Sequence, residues 1–160
     1  MTRTTRVAAV LVVSTRAAAG IYDDETGPII RDWLAERGFA VPDPILVPDA
    51  AVAIALAAVL EGTPDLLLTT GGTGVSPDDR TPEATAALLD RELPGLMEEL
   101  RRRGLAATPM ALLTRGVAGV SGRTVVMNLP GSRGGVRDGL AVLDPILDHL
   151  LAQVRGAGGH

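Results

Sequence analysis

Three short apolar runs, each followed at once by a polar or glycine-rich segment, constrain the fold of this chain more than any other feature. The runs cover residues 7–13, 65–70 and 124–129. Their apolar residues are continuous and do not alternate with polar ones, which is typical of strands buried on both faces in a parallel sheet. Segments with helical spacing separate the runs. We therefore expect an α/β fold of three layers, α/β/α, around a mostly parallel sheet.

Two helix starts are marked by capping residues. Asp49 precedes an alanine-rich segment over residues 50–60 and is the expected N-cap of that helix. Thr81 followed by Pro82 is a hydroxyl cap followed by a proline at the first helical position. Both helices are thus expected to begin directly after polar segments that follow strands.

The end of the chain carries the clearest helical periodicity. Apolar residues recur at helical spacing over residues 136–154 and predict one long final helix. We expect a single domain over residues 1–155, because the chain contains no linker or repeat that would divide it. Residues 156–160 are expected to form a disordered tail.

The chain contains no cysteine and no lysine, and all 15 of its cationic side chains are arginines. The lack of cysteine excludes disulfides and thiolate metal sites, and with only two histidines a zinc site is not expected. The lack of lysine excludes a Walker-type phosphate loop. An anionic ligand would therefore be held by arginines, hydroxyls or backbone N–H groups.

Charge and hydropathy exclude two further classes of partner. A net charge of −4 and only three aromatic residues argue against nucleic-acid binding. No apolar run reaches the roughly 20 residues that a membrane span requires. The run over residues 7–13 is followed by Ser14, Thr15 and Arg16, which fits a first strand better than a signal peptide. We expect a soluble cytoplasmic protein.

The segment over residues 68–85, LTTGGTGVSPDDRTPEAT, concentrates glycines and hydroxyls directly after a strand. Glycines allow a ligand to approach the backbone, and successive N–H groups in such a turn can bind an anion. The alternative is a tight strand-to-helix turn that needs glycine only for its geometry. The candidate ligand-binding residues of this segment are Thr70, Gly71, Gly72, Thr73, Gly74 and Ser76.

Loop aspartates add a second kind of candidate. Asp78 and Asp79 follow the glycines, and Asp49 follows a short segment over residues 44–47 that is expected to be extended. A carboxylate beside a phosphate site can hold Mg²⁺, which takes one or two protein carboxylates together with phosphate oxygens and water. Loop aspartates more often cap turns or helices, and from these residues alone both interpretations stay open.

Two further polar segments follow strands. The first begins at Ser14, and the second is the NLPGSR sequence, which contains Pro130, Gly131 and Ser132. Backbone amides at the start of a helix after this sequence would suit a phosphate or carbonyl group. The alternative is a turn in which Ser132 serves as N-cap. In an open α/β sheet such segments lie at one edge, so we expect them to line one crevice.

In this order and spacing, the segments STRAAAGIYDDETGP, TTGGTGVSPDDRTPEAT and NLPGSRGGVRDGL resemble the MoaB/Mog family of molybdenum cofactor biosynthesis proteins. The resemblance covers nearly the whole chain, and the combination of TTGGTG with DxTPEAT makes its central motif specific. It implies the MoaB/Mog molybdopterin-binding fold, typically assembled as a homotrimer.

The resemblance also implies an activity. The best-understood members are molybdopterin adenylyltransferases, which join the terminal phosphate of molybdopterin to the α-phosphorus of ATP. The reaction needs Mg²⁺ and yields adenylyl-molybdopterin and pyrophosphate. Handover of the product to a molybdenum insertase is an expected next step.

Site residues follow from the matching motif positions. Asp49 and Asp79 are the expected catalytic residues and Mg²⁺ ligands. Arg133 departs from the pattern, because many members carry a proline there, and it adds a cation beside the expected pterin site. The residues expected to bind substrate are Ser14, Thr70, Gly71, Gly72, Thr73, Gly74, Ser76, Pro130, Gly131 and Ser132.

Two alternatives to the transferase are consistent with the same resemblance. One is a non-catalytic trimer that binds or carries molybdopterin. The other is a nucleotide-hydrolysing relative of the competence-damage proteins, which normally contain this domain within a longer chain. The presence of both Asp49 and Asp79 favours catalysis over carriage.

Overall fold

The computed structural model describes residues 4–157 of the chain. Six strands in this part form one sheet, and they are β1 (Ala8–Val13), β2 (Ile45–Val47), β3 (Leu66–Thr70), β4 (Arg91–Glu92), β5 (Ala118–Ser121) and β6 (Thr124–Leu129). Their order across the sheet is β2–β1–β3–β6–β5–β4. The four strands from β2 to β6 in this order pair in parallel, whereas β5 and β4 extend the sheet as antiparallel strands. The expected mostly parallel α/β sheet is confirmed.

Helices connect the strands. They are α1 (Thr15–Ala18), α2 (Thr26–Glu36), α3 (Val52–Glu61), α4 (Thr81–Ala86), α5 (Pro94–Gly104), α6 (Arg133–Leu143) and α7 (Leu147–Val154). Short 3-10 turns occupy Asp49–Ala51, Pro109–Leu113 and Asp144–Ile146. None of the helices within residues 4–157 has the length and apolar character that crossing a membrane requires.

Both faces of the sheet are covered, which explains why the strand sequences are continuously apolar. All six residues of β1 are buried, and they alternate between two separate core clusters. Val10 and Val12 pack on the side of α2, α5, α6 and α7, while Leu11 and Val13 pack on the side of α3 and α4. Burial of each such side chain stabilises the fold by about 1.5–3 kcal/mol relative to leaving it exposed.

Two strands are not evident from the sequence. Strand β4 has only two residues, both polar and exposed, and β5 contains a glycine and no continuous apolar run. Strand β4 lies at the edge of the sheet, where a strand needs neither length nor two apolar faces, and β5 lies between β4 and β6.

The prediction of one long final helix is wrong. The segment Asp144–Ile146 forms a 3-10 turn between α6 and α7. Pro145 lies in this turn, and it cannot donate the backbone hydrogen bond that a continuous helix would require. The apolar periodicity continues across the break because Leu143 and Leu147 are both buried in the same core cluster.

The end of α7 is closed by the main chain. Gly156 has a φ of +78° and donates to the Gln153 carbonyl, and Ala157 donates to the Ala152 carbonyl. Residues 158–160 of the predicted disordered tail lie outside the described residues.

Candidate active site

A cleft of about 760 Å³ opens at the carboxyl ends of β1 and β3. These strands are neighbours in the sheet, and the chain leaves β1 toward β2 on one side but returns to β3 on the other. Such a reversal of strand order is the usual place for a ligand in an open α/β sheet. The cleft is lined by the segments that follow four parallel strands, which brings together the polar segments identified in the sequence.

Most of the expected site residues line this cleft. They are Ser14, Asp49, Thr70, Gly71, Gly72, Ser76, Asp79, Gly131 and Ser132. Of the other three, Thr73 is buried and its hydroxyl accepts a 3.3 Å hydrogen bond from Thr114 Oγ1. The Pro130 carbonyl accepts a 2.7 Å hydrogen bond from Thr70 Oγ1. The Gly74 carbonyl accepts a 2.7 Å hydrogen bond from Arg115 Nε.

The glycine turn has a conformation that other residues adopt only with strain. Gly71 and Gly72 have φ values of +92° and +66°. A Cβ atom on Gly71 would overlap the Val13 carbonyl oxygen. On Gly72 it would overlap the Thr81 hydroxyl and lie 3.1 Å from Asp49 Oδ1. The geometric interpretation of these glycines is therefore correct, and it is compatible with ligand binding because the same turn lines the cleft.

Backbone N–H groups of the turn are available to a ligand. Within residues 4–157, the N–H groups of Gly72, Thr73, Gly74 and Val75 donate no hydrogen bond. Successive free N–H groups in a turn with positive φ values can form an anion-binding concavity. The turn thus has four N–H groups without a partner in the protein, and one of their residues, Gly72, lines the cleft.

Thr81 stabilises the turn and does not cap α4, so its predicted capping role is wrong. Its hydroxyl donates a 3.0 Å hydrogen bond to the Gly71 carbonyl, and its N–H donates a 3.1 Å bond to the Gly72 carbonyl. The N-cap position belongs to Arg80, which makes no side-chain capping bond. These two bonds direct the Thr81 hydroxyl toward the glycines and hold the end of the glycine turn against the start of α4.

Asp49 also has a role different from the predicted cap. It begins the 3-10 turn before α3, and its side chain caps neither element. Its Oδ2 accepts a 2.7 Å hydrogen bond from the Thr15 hydroxyl and a 3.3 Å bond from the Thr15 N–H. Asp49 Oδ1 accepts no hydrogen bond from the described residues and faces the Gly72 position. One carboxylate oxygen is therefore anchored and the other is free for a ligand.

Asp79 closes the tip of the loop that contains the glycine turn. Its Oδ2 accepts a 3.1 Å hydrogen bond from the Ser76 N–H, and its own N–H donates to the Ser76 carbonyl. A Cβ atom on Gly74 would lie 2.8 Å from this Oδ2. Asp79 is thus a turn-capping residue whose Oδ1 accepts no hydrogen bond from the part of the chain that the structure describes. Asp78 lines the cleft and is exposed.

Ser14 and Ser132 both cap helices at the cleft. Ser14 Oγ accepts from the Ala17 N–H at the start of α1 and shares a 2.8 Å hydrogen bond with the Tyr22 hydroxyl. Ser132 Oγ accepts from the Gly135 N–H at the start of α6, which confirms the alternative interpretation of this segment as a turn with Ser132 as N-cap.

The cleft is predominantly acidic. Two arginines line it, Arg16 and Arg133. Six carboxylates line it as well, namely Asp23, Asp24, Glu25, Asp49, Asp78 and Asp79. An anionic ligand would be repelled by this excess of negative charge unless a cation accompanied it. Arg133 Nε lies 3.4 Å from Glu25 Oε2, so the unexpected arginine is paired with one of these carboxylates.

The carboxylates of the cleft could hold Mg²⁺ only together with ligands that a substrate supplies. No group of three or more histidine, aspartate or glutamate side chains in residues 4–157 is placed to hold a metal by itself. Mg²⁺ is usually held by one or two carboxylates with substrate phosphates and water. Asp49 and Asp79 each keep one carboxylate oxygen without a hydrogen bond from the described residues, so each could supply one such ligand.

Arg115 contacts the glycine turn from outside the cleft and was not identified from the sequence. Its side chain donates to the carbonyls of Gly74 and Asp79 and to the Glu83 carboxylate. The hydrogen bond from the Arg115 guanidinium holds the pKa of Glu83 below its ordinary value. No motif surrounds Arg115, so a single sequence offers no signal for it.

Asn128 joins three elements beneath the cleft. It is fully buried on β6, and its Nδ2 donates to the hydroxyls of Thr69 and Thr85, while its Oδ1 accepts from the Val117 N–H. A polar residue within an apolar strand run is a sequence signal for such a buried network.

The fold and the cleft define a doubly wound α/β domain with a candidate ligand site at its switch point. The family model described as "Probable molybdopterin binding domain" matches residues 9–149. The chain therefore belongs to this family of molybdenum cofactor biosynthesis domains.

Individual relatives agree with this assignment. The chain is 40% identical to the molybdenum cofactor biosynthesis bifunctional protein of Synechococcus elongatus over 94% of its own length, but it spans only 48% of that protein. It is 38% identical to the molybdopterin adenylyltransferase of Haemophilus influenzae, over 80% of this chain and 68% of that protein. Among solved structures, the molybdopterin biosynthesis Mog protein of Mycobacterium ulcerans matches with a TM-score of 0.89 at 50% identity, over 94% of this chain and 99% of that chain.

Proposed function

We propose that this protein is a molybdopterin adenylyltransferase that uses ATP and Mg²⁺. The observation that carries the proposal is one cleft lined by Gly71 and Gly72 of the glycine turn together with Asp49 and Asp79, each of which keeps one carboxylate oxygen free of hydrogen bonds from the described residues. The name of the Haemophilus influenzae relative supports the same activity.

The reaction needs no protein nucleophile, which suits this cleft. A terminal phosphate oxygen of molybdopterin attacks the α-phosphorus of ATP, the bond from this phosphorus to the bridging oxygen breaks, and pyrophosphate leaves. Catalysis of such a transfer depends on positioning and on neutralising charge. The N–H groups of the turn would hold phosphate oxygens, and Thr15 would keep Asp49 oriented toward them.

Mg²⁺ would neutralise phosphate charge in this acidic cleft. Asp49 and Asp79 are the residues that would hold it, each through the oxygen that the protein leaves free. The substrate phosphates complete its coordination, because the described residues provide no full set of ligands.

The pterin is assigned to the side of the cleft formed by the turn before α6. Gly131 and Ser132 line the cleft there, and the Pro130 carbonyl is fixed by Thr70. Ser14 lines the same cleft at the start of α1. Arg133 adds a cation to this side of the cleft. A pterin phosphate could pair with Arg133 once the ion pair between Arg133 and Glu25 is broken.

We also propose that the protein works as a homotrimer in the cytoplasm and passes its product to a molybdenum insertase. The surface between α5 and β5 supports self-association, because Leu105, Met110, Leu112 and Leu113 are between 44% and 61% exposed there. Clustered apolar side chains of this kind commonly mark a protein interface.

The direct test is incubation of the purified protein with molybdopterin, ATP and Mg²⁺, followed by analysis of the products. We expect adenylyl-molybdopterin and pyrophosphate in equal amounts, and no pyrophosphate when molybdopterin is left out. Binding of molybdopterin without formation of product would contradict the proposal and favour the non-catalytic carrier. Release of pyrophosphate or phosphate from ATP without the pterin would favour the nucleotide hydrolase.

A further inference from the structure

Arg115 holds the glycine turn at two points on either side of its exposed tip. Its Nε donates a 2.7 Å hydrogen bond to the Gly74 carbonyl, and its Nη2 donates a 3.0 Å bond to the Asp79 carbonyl. Its backbone N–H donates a further 2.8 Å bond to the Thr73 carbonyl. One residue therefore fixes three carbonyl groups of the loop that carries Asp79.

These bonds determine the direction of the N–H groups in the loop. In a trans peptide the C=O of one residue and the N–H of the next point in opposite directions. The Thr73 and Gly74 carbonyls point toward Arg115, so the N–H groups of Gly74 and Val75 point away from it. Both N–H groups are among the four that remain free within the described residues.

Arg115 itself lies outside the cleft. Its side chain lines a separate depression beside α5, together with Arg101 and Met97. Arg101 donates a 2.9 Å hydrogen bond to the Thr114 carbonyl and so supports the segment from which Arg115 projects. The guanidinium thus contacts the loop from outside the cleft.

A planar group with several donors is required for this arrangement. The third guanidinium contact, from Nη1, is a 2.5 Å hydrogen bond to Glu83 on α4. Arginine can make all three side-chain contacts at once because its donors are fixed in a fork. Lysine carries the same charge on one nitrogen atom and cannot reach two carbonyls and a carboxylate with the same geometry.

We propose that Arg115 is a positioning residue that turns the N–H groups of Gly74 and Val75 toward a substrate phosphate and sets the position of Asp79. Its link to adenylyl transfer rests on the proposed function, whereas its effect on the N–H groups does not. Loss of Arg115 lowers phosphate affinity and turnover by releasing the loop, although Arg115 does not touch the ligand.

The test compares Arg115→Gln and Arg115→Lys with Arg102→Gln as a matched control. Arg102 also pairs with a glutamate, Glu99, but on an exposed face of α5 away from the loop. The probe is inorganic pyrophosphate with Mg²⁺, and the measurements are its Kd by calorimetry and its effect on the amide resonances of Gly74 and Val75. With active protein, kcat and KM for ATP are measured as well.

In the wild type, pyrophosphate shifts the amide resonances of Gly74 and Val75. In Arg115→Gln and Arg115→Lys these shifts are lost, the Kd rises about tenfold or more, and kcat falls along with the affinity for ATP. The Arg102→Gln control keeps wild-type values. Should Arg115→Gln fail to fold, Arg115→Lys carries the comparison because it retains the charge.

Wild-type affinity in Arg115→Lys would overturn the proposal, since charge alone would then be sufficient. Absence of the Gly74 and Val75 shifts in the wild type would overturn it as well. A wild-type protein that binds pyrophosphate in the expected way but forms no adenylyl-molybdopterin would contradict the proposed function and leave the role of Arg115 supported.

Discussion

Thr15 and Asp49 hold each other through reciprocal hydrogen bonds. The Thr15 hydroxyl donates to Asp49 Oδ2 over 2.7 Å and accepts from the Asp49 N–H over 3.1 Å. The pair joins the segment after β1 to the segment after β2 and directs Asp49 Oδ1 toward the glycine turn. The position of this carboxylate in the cleft thus depends on a threonine that lies 34 residues earlier in the sequence.

Replacement of Thr15 by valine tests this dependence. Valine keeps the branched shape but lacks the hydroxyl, so only the 3.3 Å hydrogen bond from the backbone N–H of residue 15 to Asp49 Oδ2 remains. We expect kcat for adenylyl transfer to fall roughly 10- to 100-fold, because a small misplacement of a catalytic group has such an effect. The free energy of unfolding should change by less than about 1.5 kcal/mol. Thr15→Ser keeps the hydroxyl and should retain most activity. Equal activity of the two variants would show that the pair does not position Asp49.

Asp79→Asn separates the charge of this residue from its capping role. The asparagine oxygen can still accept from the Ser76 N–H, so the loop and the thermal stability should be preserved. The loss of negative charge should lower adenylyl transfer by about 100-fold or more, on the scale of other preorganised charge-stabilising groups. The assay measures adenylyl-molybdopterin and pyrophosphate together.

Asp78→Asn is the matched control for that change. Asp78 is the neighbouring residue, lines the same cleft and is exposed, and its side chain makes no hydrogen bond within residues 4–157. It should retain activity close to that of the wild type. A full rate of pyrophosphate release from Asp79→Asn would remove Asp79 from the catalytic residues.

Gly72→Ala tests whether the turn requires glycine at this position. The positive φ of +66° costs an alanine about 1–2 kcal/mol, and its Cβ would overlap the Thr81 hydroxyl and approach Asp49 Oδ1. We expect lower stability in urea unfolding and loss of pyrophosphate binding. Gly95→Ala is the control, since a Cβ there meets nothing within 4 Å at the start of α5. That change should stabilise the protein or leave it unaltered, and a similar loss in both variants would contradict the argument.

Features that depend on residues close together in the sequence could be predicted from the sequence alone. The strands β1, β3 and β6 were predicted because burial on both faces gives each a continuous apolar run. The cap at Ser132, one of the two interpretations of its segment, is accessible from the sequence because its partner, Gly135, lies three residues further on. The convergence of segments on the cleft followed from the rule for strand ends in a parallel sheet.

The final helix was predicted as continuous because its apolar periodicity runs across Pro145, whereas the errors at the site concern side chains whose partners lie outside their own local segment. Asp49 was expected to cap its own helix, yet it bonds to Thr15, and Thr81 was expected to cap α4, yet it bonds to the Gly71 carbonyl. Arg115 was missed because it bonds to Asp79 from 36 residues away. A capping residue and a tertiary hydrogen-bonding residue have the same local sequence, so only the fold distinguishes them.

The Asp65–Arg155 ion pair should make the stability of the protein depend on pH. Burial raises the pKa of Asp65, but hydrogen bonds from Arg155 and the Val7 N–H and the charges of Arg155 and Arg6 outweigh it, so the pKa is below its ordinary value. A carboxyl whose pKa is lowered by folding contributes stability above its unfolded pKa of about 3.9, and this contribution is lost as the pH falls through the lower, folded value.

Asp65→Asn should therefore unfold more easily than the wild type in urea at pH 7, and the difference should shrink in strongly acidic solution, where the wild-type carboxyl is also protonated. Asp32→Asn is the control, because that side chain is 68% exposed and lies 3.5 Å from its nearest arginine. Its effect should be small at both pH values, since exposed ion pairs contribute little. A difference between Asp65→Asn and the wild type that stays constant down to pH values below the folded pKa would mean that lost packing, and not the charge of Asp65, accounts for the destabilisation.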